Sequence, residues 1–270
     1  MCIRDRYATG LMRNLDWWWS KRQLGDTGLL CFGTSLDAGD GLYKGTKLAA
    51  KDESTMDNSP LHDPVPFDEV SGLLLAADVG VNSMAALDGE LLVRIFNELG
   101  ELDTAQQLGE RTVTHKQRIS EWLWDESRGI FANRMISGEF VSTLAPTSFF
   151  PMAAGIGSKD QSQRMIQGYL NHPSKFGGEF GLPSVTRDDP TCTDNVYWRG
   201  RIWAPLNFWV WQGLKRQGYV KEAAQLAEQG WELFEKNWKQ RLCGENFNAE
   251  TGEVLDQPDT DGFYSWGALL

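Results

Sequence analysis

Two short polar segments carry carboxylates in settings suited to acid–base chemistry. Glu53 to Asp63, ESTMDNSPLHD, holds Glu53, Asp57 and Asp63 in a stretch broken by a Ser-Pro step. Cys243 to Gly252, CGENFNAETG, holds Glu245 ahead of Phe247 and a Thr-Gly turn, and Phe263, Tyr264 and Trp266 follow soon after. A third segment, FGGEFGLPSVTRDDP from Phe176 to Pro190, continues to Tyr197-Trp198-Arg199-Gly200-Arg201-Ile202-Trp203. Glycosidic cleavage needs one group to protonate the leaving oxygen and another to activate water or attack the anomeric carbon. The acid must keep its proton near neutral pH, which burial or a neighbouring negative charge arranges. Aromatic walls supply that burial, and guanidinium groups hold hydroxyls or a carboxylate. Each segment also has a plain structural account: a solvated turn, a polar loop, an Arg–Asp network. Spacing alone does not choose between them.

The elements that must position these residues read as helices. From Val220 the apolar positions Ala223, Ala227, Trp231, Phe234 and Trp238 recur at spacings of three and four, which predicts an amphipathic helix with that stripe buried. Ser158 and Gln161 form a capping box, and Met165, Ile166 and Tyr169 continue the apolar face. Asp103 opens another helix reaching about Trp124. Val70 to Met84 and Ile202 to Leu214 are apolar nearly all round, the mark of helices buried on every side. Short strands are expected only near Gly129 to Val141. Between the helices lie the long loops Leu36 to Pro66, Pro173 to Val196 and Cys243 to Gly262, and loops of that length in a compact domain usually carry function.

Composition narrows the classes. A net charge of −11 with no basic run argues against a nucleic-acid surface. Cys2, Cys31, Cys192 and Cys243 stand apart with no CxxC pair, so they read as free thiols in a reducing compartment. His62, His115 and His172 are too scattered for a typical metal site, and no metal or organic cofactor is called for. No segment reads as a membrane span or a secretion signal, which favours a cytoplasmic protein. Met1 to Arg6 shows no pattern joining it to the rest and reads as a non-native scar, leaving 7–270 as one catalytic domain. The 12 tryptophans fit core packing or sugar stacking.

Taken together, ESTMDNSPLHD, TSFFPMAAGI, GGEFGLPSVTRDDP, YWRGRIWAPLNFWVWQGL and ENFNAETGE followed by DGFYSWGALL resemble glycoside hydrolase family 63 in its mannosylglycerate-hydrolase-like branch, with a more distant likeness to trehalases. The resemblance runs from about Trp17 to Leu270. It implies an all-α (α/α)6 toroid of six helical hairpins; fewer helices are legible than that requires, so the N-terminal ones are expected to be missing. It implies inversion at the anomeric carbon, with Asp57 as general acid, Glu245 as general base, and their carboxyls roughly 6.5–9.5 Å apart to admit a water. Tyr197, Trp198, Arg201 and Trp203 match a YWRGxIW motif and, with Asn58, Phe180 and Trp266, are expected to line the sugar subsite. Glu53 is expected to hold a sugar hydroxyl or tune Asp57. The segment departs from the usual WESGMDNSPRWD, with Asp52, Thr55, Leu61 and His62 replacing Trp, Gly, Arg and Trp.

The implied activity is hydrolysis of α-glucosidic or α-mannosidic bonds in small glycosides such as mannosylglycerate, with a carbohydrate as the partner molecule. Two rivals stand beside it. A sugar epimerase on the same toroid would need a histidine pair for proton transfer. A non-catalytic carbohydrate-binding protein would keep the aromatic wall but not the paired carboxylates.

Overall fold

The computed structural model describes residues 3–35 and 44–270, so the start of the first long loop, residues 36–43, and Cys2 lie outside the described residues. Helix α1 spans Ile3–Lys21 and α2 spans Lys47–Asp52. The long pair α3 (Val79–Leu99) and α4 (Leu102–Trp122) follows, then the short α5 (Phe150–Ala153) and α6 (Lys159–Met165), and finally α7 (Ala204–Arg216) and α8 (Val220–Trp238). Among the described residues, strands appear only as three two-stranded antiparallel ribbons: Phe67–Asp68 with Leu73–Leu74, Ala76–Ala77 with Arg134–Met135, and Trp124–Asp125 with Ile130–Phe131.

Local chemistry sets the helix ends. Asp78 caps α3 by accepting from the Val81 amide, and Gly100 ends it at φ 77°, a left-handed turn that glycine adopts without strain. Ser158 and Gln161 make the expected reciprocal capping box on α6. Pro205 occupies the first turn of α7, where its missing amide proton costs nothing.

The helices fall into two layers. α3, α5 and α7 contact one another in chain order, while α4 packs on α3 and α8 on α7. The principal core lies between them, with Ala86, Leu87, Ile119, Phe149, Met152, Trp203, Val210 and Leu226 buried. The loops leading into the inner helices are tied to one another at one end. Asn133 bonds the Val79 amide and the Asp78 carboxylate, Thr143 bonds Asp189, and the Thr186 amide bonds the Leu144 carbonyl. Inner helices that present their N-terminal ends to shared loops leave those loops free to carry chemistry.

Two expectations need correction. Val70 to Met84 is not one buried helix: Val70 is 86% exposed, two of the ribbon strands occupy 73–77, and α3 starts only after Asp78. All-round apolar composition reports burial, whereas the cap residue marks where the helix starts. In α8 the buried face is Ala223, Leu226, Gly230, Leu233 and Asn237. Trp231 and Trp238, placed on the buried stripe by their hydrophobicity, are 60% and 46% exposed. Gly230 is required because a Cβ there would stand 2.8 Å from the backbone carbon of Leu270. Cys31, Cys192 and Cys243 are free thiols, and among the described residues no helix is long and apolar enough to cross a membrane.

Two measurements check this packing. Leu233→Ala is expected to cost about 2–5 kcal/mol in urea unfolding, whereas Trp231→Gln should stay within about 0.5 kcal/mol; equal costs would restore the aromatic stripe as the buried face. The second concerns His62 and His115, which sit edge-on to Phe32 and Trp19. Burial lowers both from 6.5 to about 4. The unfolded chain therefore takes up these protons first, so their contribution is complete above pH 6.5 and is lost as the pH falls towards 4. Unfolding free energy is expected to fall across that window, with a shallower slope in His115→Gln; an unchanged slope would show that His115 is not buried neutral.

Candidate active site

Asp57 sits on a turn pinned from both sides. Met56 and Leu61 are buried in the principal core, and Ser54, Ser59 and the 3-10 turn Pro60–His62 close the backbone with short-range bonds. Apolar anchors flanking a polar tip hold the carboxylate at the surface of the core. Asp57 Oδ1 is buried with no hydrogen-bond partner among the described residues. Thr55, two residues earlier, adopts φ 60°, a conformation that costs a β-branched residue strain.

Asn58 ties this turn to the segment before α7. Its Oδ1 accepts from the Trp198 amide at 2.9 Å and its Nδ2 donates to the Val196 carbonyl at 3.4 Å. Tyr197, between those two partners, also takes a left-handed φ, of 54°. The strained backbone and the bridge together fix where the tyrosine points.

Glu245 arrives on an extended segment. Ile202 and Phe247 exchange backbone hydrogen bonds at 2.7 and 3.0 Å, and the Glu245 amide donates to the Asp261 carbonyl at 2.9 Å. Its side chain is buried and accepts from the Tyr197 hydroxyl at 3.1 Å and from the Asp261 amide at 3.3 Å. The Trp266 indole donates to its backbone carbonyl at 2.9 Å. Behind this lies Arg201, fully buried, whose guanidinium bonds the side chains of Asn246, Asn195 and Asp256 and the carbonyls of Glu253 and Val254.

Tyr197 links the two segments: its hydroxyl donates to Glu245, and Asn58 ties its neighbours Val196 and Trp198 to the Asp57 turn. Burial raises its hydroxyl pKa above the ordinary tyrosine range, and the charge and hydrogen bond of Glu245, then the charge of Asp57, raise it further. A phenol flanked by two carboxylates stays protonated and donates. Around it the rings form a continuous wall: Trp198 stacks on Trp203 at 3.5 Å and 9°, Tyr197 meets Trp203 edge-on at 4.8 Å, and Trp203 meets Trp266 at 5.8 Å. Trp198 and Trp203 are buried, while Tyr197 and Trp266 keep part of their surface open. Trp198 Nε1 is buried without a partner among the described residues.

Not every residue expected at the site joins it. Asp57, Asn58, Glu245, Tyr197, Trp198, Trp203 and Trp266 come together. Glu53 instead takes the Arg22 guanidinium with both oxygens at 2.6 Å, and the Gly33 amide at 2.8 Å. Arg201 belongs to the structural network just described. Phe180 is buried in a separate cluster with Ile202, Leu233, Phe247, Ala249 and Val254. One residue not singled out for the site now borders it: Tyr264 packs on Trp266 at 4.2 Å, a position the aromatic run already marked.

Paired helical layers with their loops gathered at one end define the class of the (α/α)6 toroids. The family profile described as the mannosylglycerate hydrolase MGH1-like glycoside hydrolase domain matches residues 3–267, and the chain belongs to that family. Among curated relatives, the mannosylglycerate hydrolase of Rubrobacter radiotolerans is 26% identical over 185 residues, 65% of this chain and 38% of that protein. The cytosolic neutral trehalase of Kluyveromyces lactis is 35% identical over 118 residues, 42% of this chain and 15% of that protein. The chain thus spans well under half the length of these relatives. Two solved structures share the fold. The family 63 mannosylglycerate hydrolase of Thermus thermophilus in complex with glucose superposes with a TM-score of 0.74 at 22% identity, covering 99% of this chain and 69% of that one. Neutral trehalase Nth1 of Saccharomyces cerevisiae gives 0.68 at 19%, covering 98% and 56%.

The two arginines of the YWRGRIW segment are expected to separate by stability. Arg201→Met leaves Asp256 without its buried partner and should cost about 3–5 kcal/mol in urea unfolding. Arg199, whose ion-pair partners Asp63 and Asp194 are largely exposed, should lose under about 1 kcal/mol on the same change. Comparable losses would mean that Arg201 is no more structural than Arg199.

Proposed function

We propose that this domain hydrolyses an α-linked glucoside or mannoside by a single displacement, with Asp57 as general acid and Glu245 as general base. The observation that carries the reading is that the turn bearing Asp57 is tied through Asn58 to both neighbours of Tyr197, whose hydroxyl donates to Glu245, within one aromatic wall. Asp57 suits the acid: its Oδ1 is buried and bonds no group among the described residues, which leaves it open to the glycosidic oxygen. It delivers its proton there as the bond to the anomeric carbon breaks. Glu245 suits the base: the Tyr197 hydroxyl and the Asp261 amide both donate to its carboxylate and fix its position. It takes a proton from the water that attacks the anomeric carbon from the opposite face, which inverts that centre. Tyr197 and Trp266, partly open, offer ring faces for the apolar side of a pyranose. The names of its relatives, mannosylglycerate hydrolase and trehalase, support a small glycoside as substrate.

The test is hydrolysis of a panel of α-glucosides and α-mannosides, with product anomers followed by proton NMR. Asp57→Asn and Glu245→Gln are each expected to lower kcat by roughly 10²–10⁴-fold, with the wild type releasing the inverted anomer first. Activity surviving both substitutions would overturn the assignment, and release of the retained anomer would make Glu245 a nucleophile instead.

A further inference from the structure

A second hollow lies between α1 and α4 and shares no residue with the site described above. Arg111, Thr114, His115 and Arg118 stand at spacings of three and four on α4, which puts them on one face of that helix. Trp19, near the end of α1, and Gln23, just beyond it, join them around a hollow of about 340 Å³. Among the described residues, no acidic side chain lines it. In a chain of net charge −11, a hollow with two arginines and no acid runs against the overall composition.

Its lining is held in place by the protein itself. The Arg111 guanidinium lies 3.8 Å over the Trp19 ring and donates to Asp16 at 2.7 Å, one bond for a group with five N–H donors. Trp19 meets His115 edge-on at 5.7 Å. His115 is buried against the backbone of Gly28 and Asn82, and its Nε2 makes no hydrogen bond of good geometry among the described residues. Arg118 makes neither an ion pair nor a hydrogen bond among the described residues, and its guanidinium fills the space that a Cβ on Gly28 would need. The loop carrying Gly28 is tied in turn to α3, because the Asn82 side chain accepts from the Leu30 amide at 2.8 Å and donates to the Leu30 carbonyl at 2.7 Å.

We infer that this hollow binds a phosphate group, as the free ion or as the monoester of a small sugar, with Arg118 and Arg111 as its cationic walls and Thr114 and His115 on α4 between them. A guanidinium meets a phosphate through parallel N–H···O bonds, and a tetrahedral ion has oxygens to spare for a hydroxyl and an amide beside them. Two cations on one helix face repel each other, and an anion between them turns that repulsion into attraction. The hollow falls in the size range of small-molecule sites, so it has room for the carbon skeleton of an ester as well as for the ion.

Titration with inorganic phosphate and with glucose 6-phosphate, followed by calorimetry and by NMR of the histidine rings, tests this without any need for turnover; glucose is the uncharged control. The chain has three histidines, so the spectrum reports where the ligand sits. The His115 signals are expected to shift saturably while those of His62 and His172 stay in place. Arg118→Gln, at an exposed position, is expected to leave the circular dichroism spectrum unchanged and to weaken binding by about tenfold or more, with a further loss when Arg111→Gln is added. Tighter binding of glucose 6-phosphate than of phosphate would support a sugar phosphate as the ligand, and equal binding would support the free ion. The inference is overturned if neither phosphate compound binds saturably in the millimolar range, if glucose binds as well, if binding leaves His115 unmoved, or if the double variant binds as the wild type does.

Discussion

Arg201 brings five hydrogen-bonding groups from three stretches of chain onto one buried guanidinium. A guanidinium offers five N–H donors in a fixed plane, so the groups that accept from it are fixed relative to one another. Here those groups flank the two segments that matter: Asn195 precedes Tyr197, and Asn246 follows Glu245. The cation also compensates part of the acidic charge that the chain carries in these loops through Asp256. It adds to the few ladder bonds that the irregular backbone from 243 to 262 makes to Ile202 and within its own turns. The network is thus a framework for carboxylates rather than a contact for substrate.

A second constraint couples this framework to Asp57. Asn58 reaches 138 and 140 residues along the chain to the backbone of Val196 and Trp198. Three left-handed, non-glycine residues, Thr55, Asn195 and Tyr197, cluster around that bridge. Such conformations cost about 1–3 kcal/mol each and persist only when the surroundings over-determine them. The surroundings do so: Met56, Leu61, Trp198 and Trp203 are all buried in the same core. Packing energy is therefore spent on holding two carboxyl groups and a phenol in one orientation, which is what acid–base chemistry needs from a scaffold.

Much of the architecture was legible because helix periodicity and caps are local. The capping box at Ser158 and the helix read from Asp103 to about Trp124, observed over Leu102–Trp122, follow from residues within a few positions of each other. The α8 face was not, because its buried positions include Gly230 and Asn237, chosen for close approach and hydrogen bonding rather than for hydrophobicity. The start of α3 was obscured in the same way by an apolar run whose first half pairs as strand. At the site, residue type identified which groups can titrate or donate, and family resemblance ordered them. It could not separate the carboxylate at 53, neutralised by an arginine 31 residues away, from the one at 57 with no such partner. That difference is set by tertiary contacts, and no spacing rule reports it.

Thr55 shows how far the departures from the family pattern reach. Where the motif has glycine, a left-handed turn is free of side-chain strain; here a β-branched residue occupies it at φ 60°. The turn nevertheless keeps its form, because the Thr55 amide bonds the Asp52 carbonyl and Ser54 closes the preceding residues. Asp52 and Thr55 thus act together in this chain. One supplies the carbonyl that stabilises the strained turn; the other accepts the strain within the turn that carries Asp57. That turn keeps its form through backbone bonds and the buried Met56 and Leu61 on either side, not through the residue type at its tightest position.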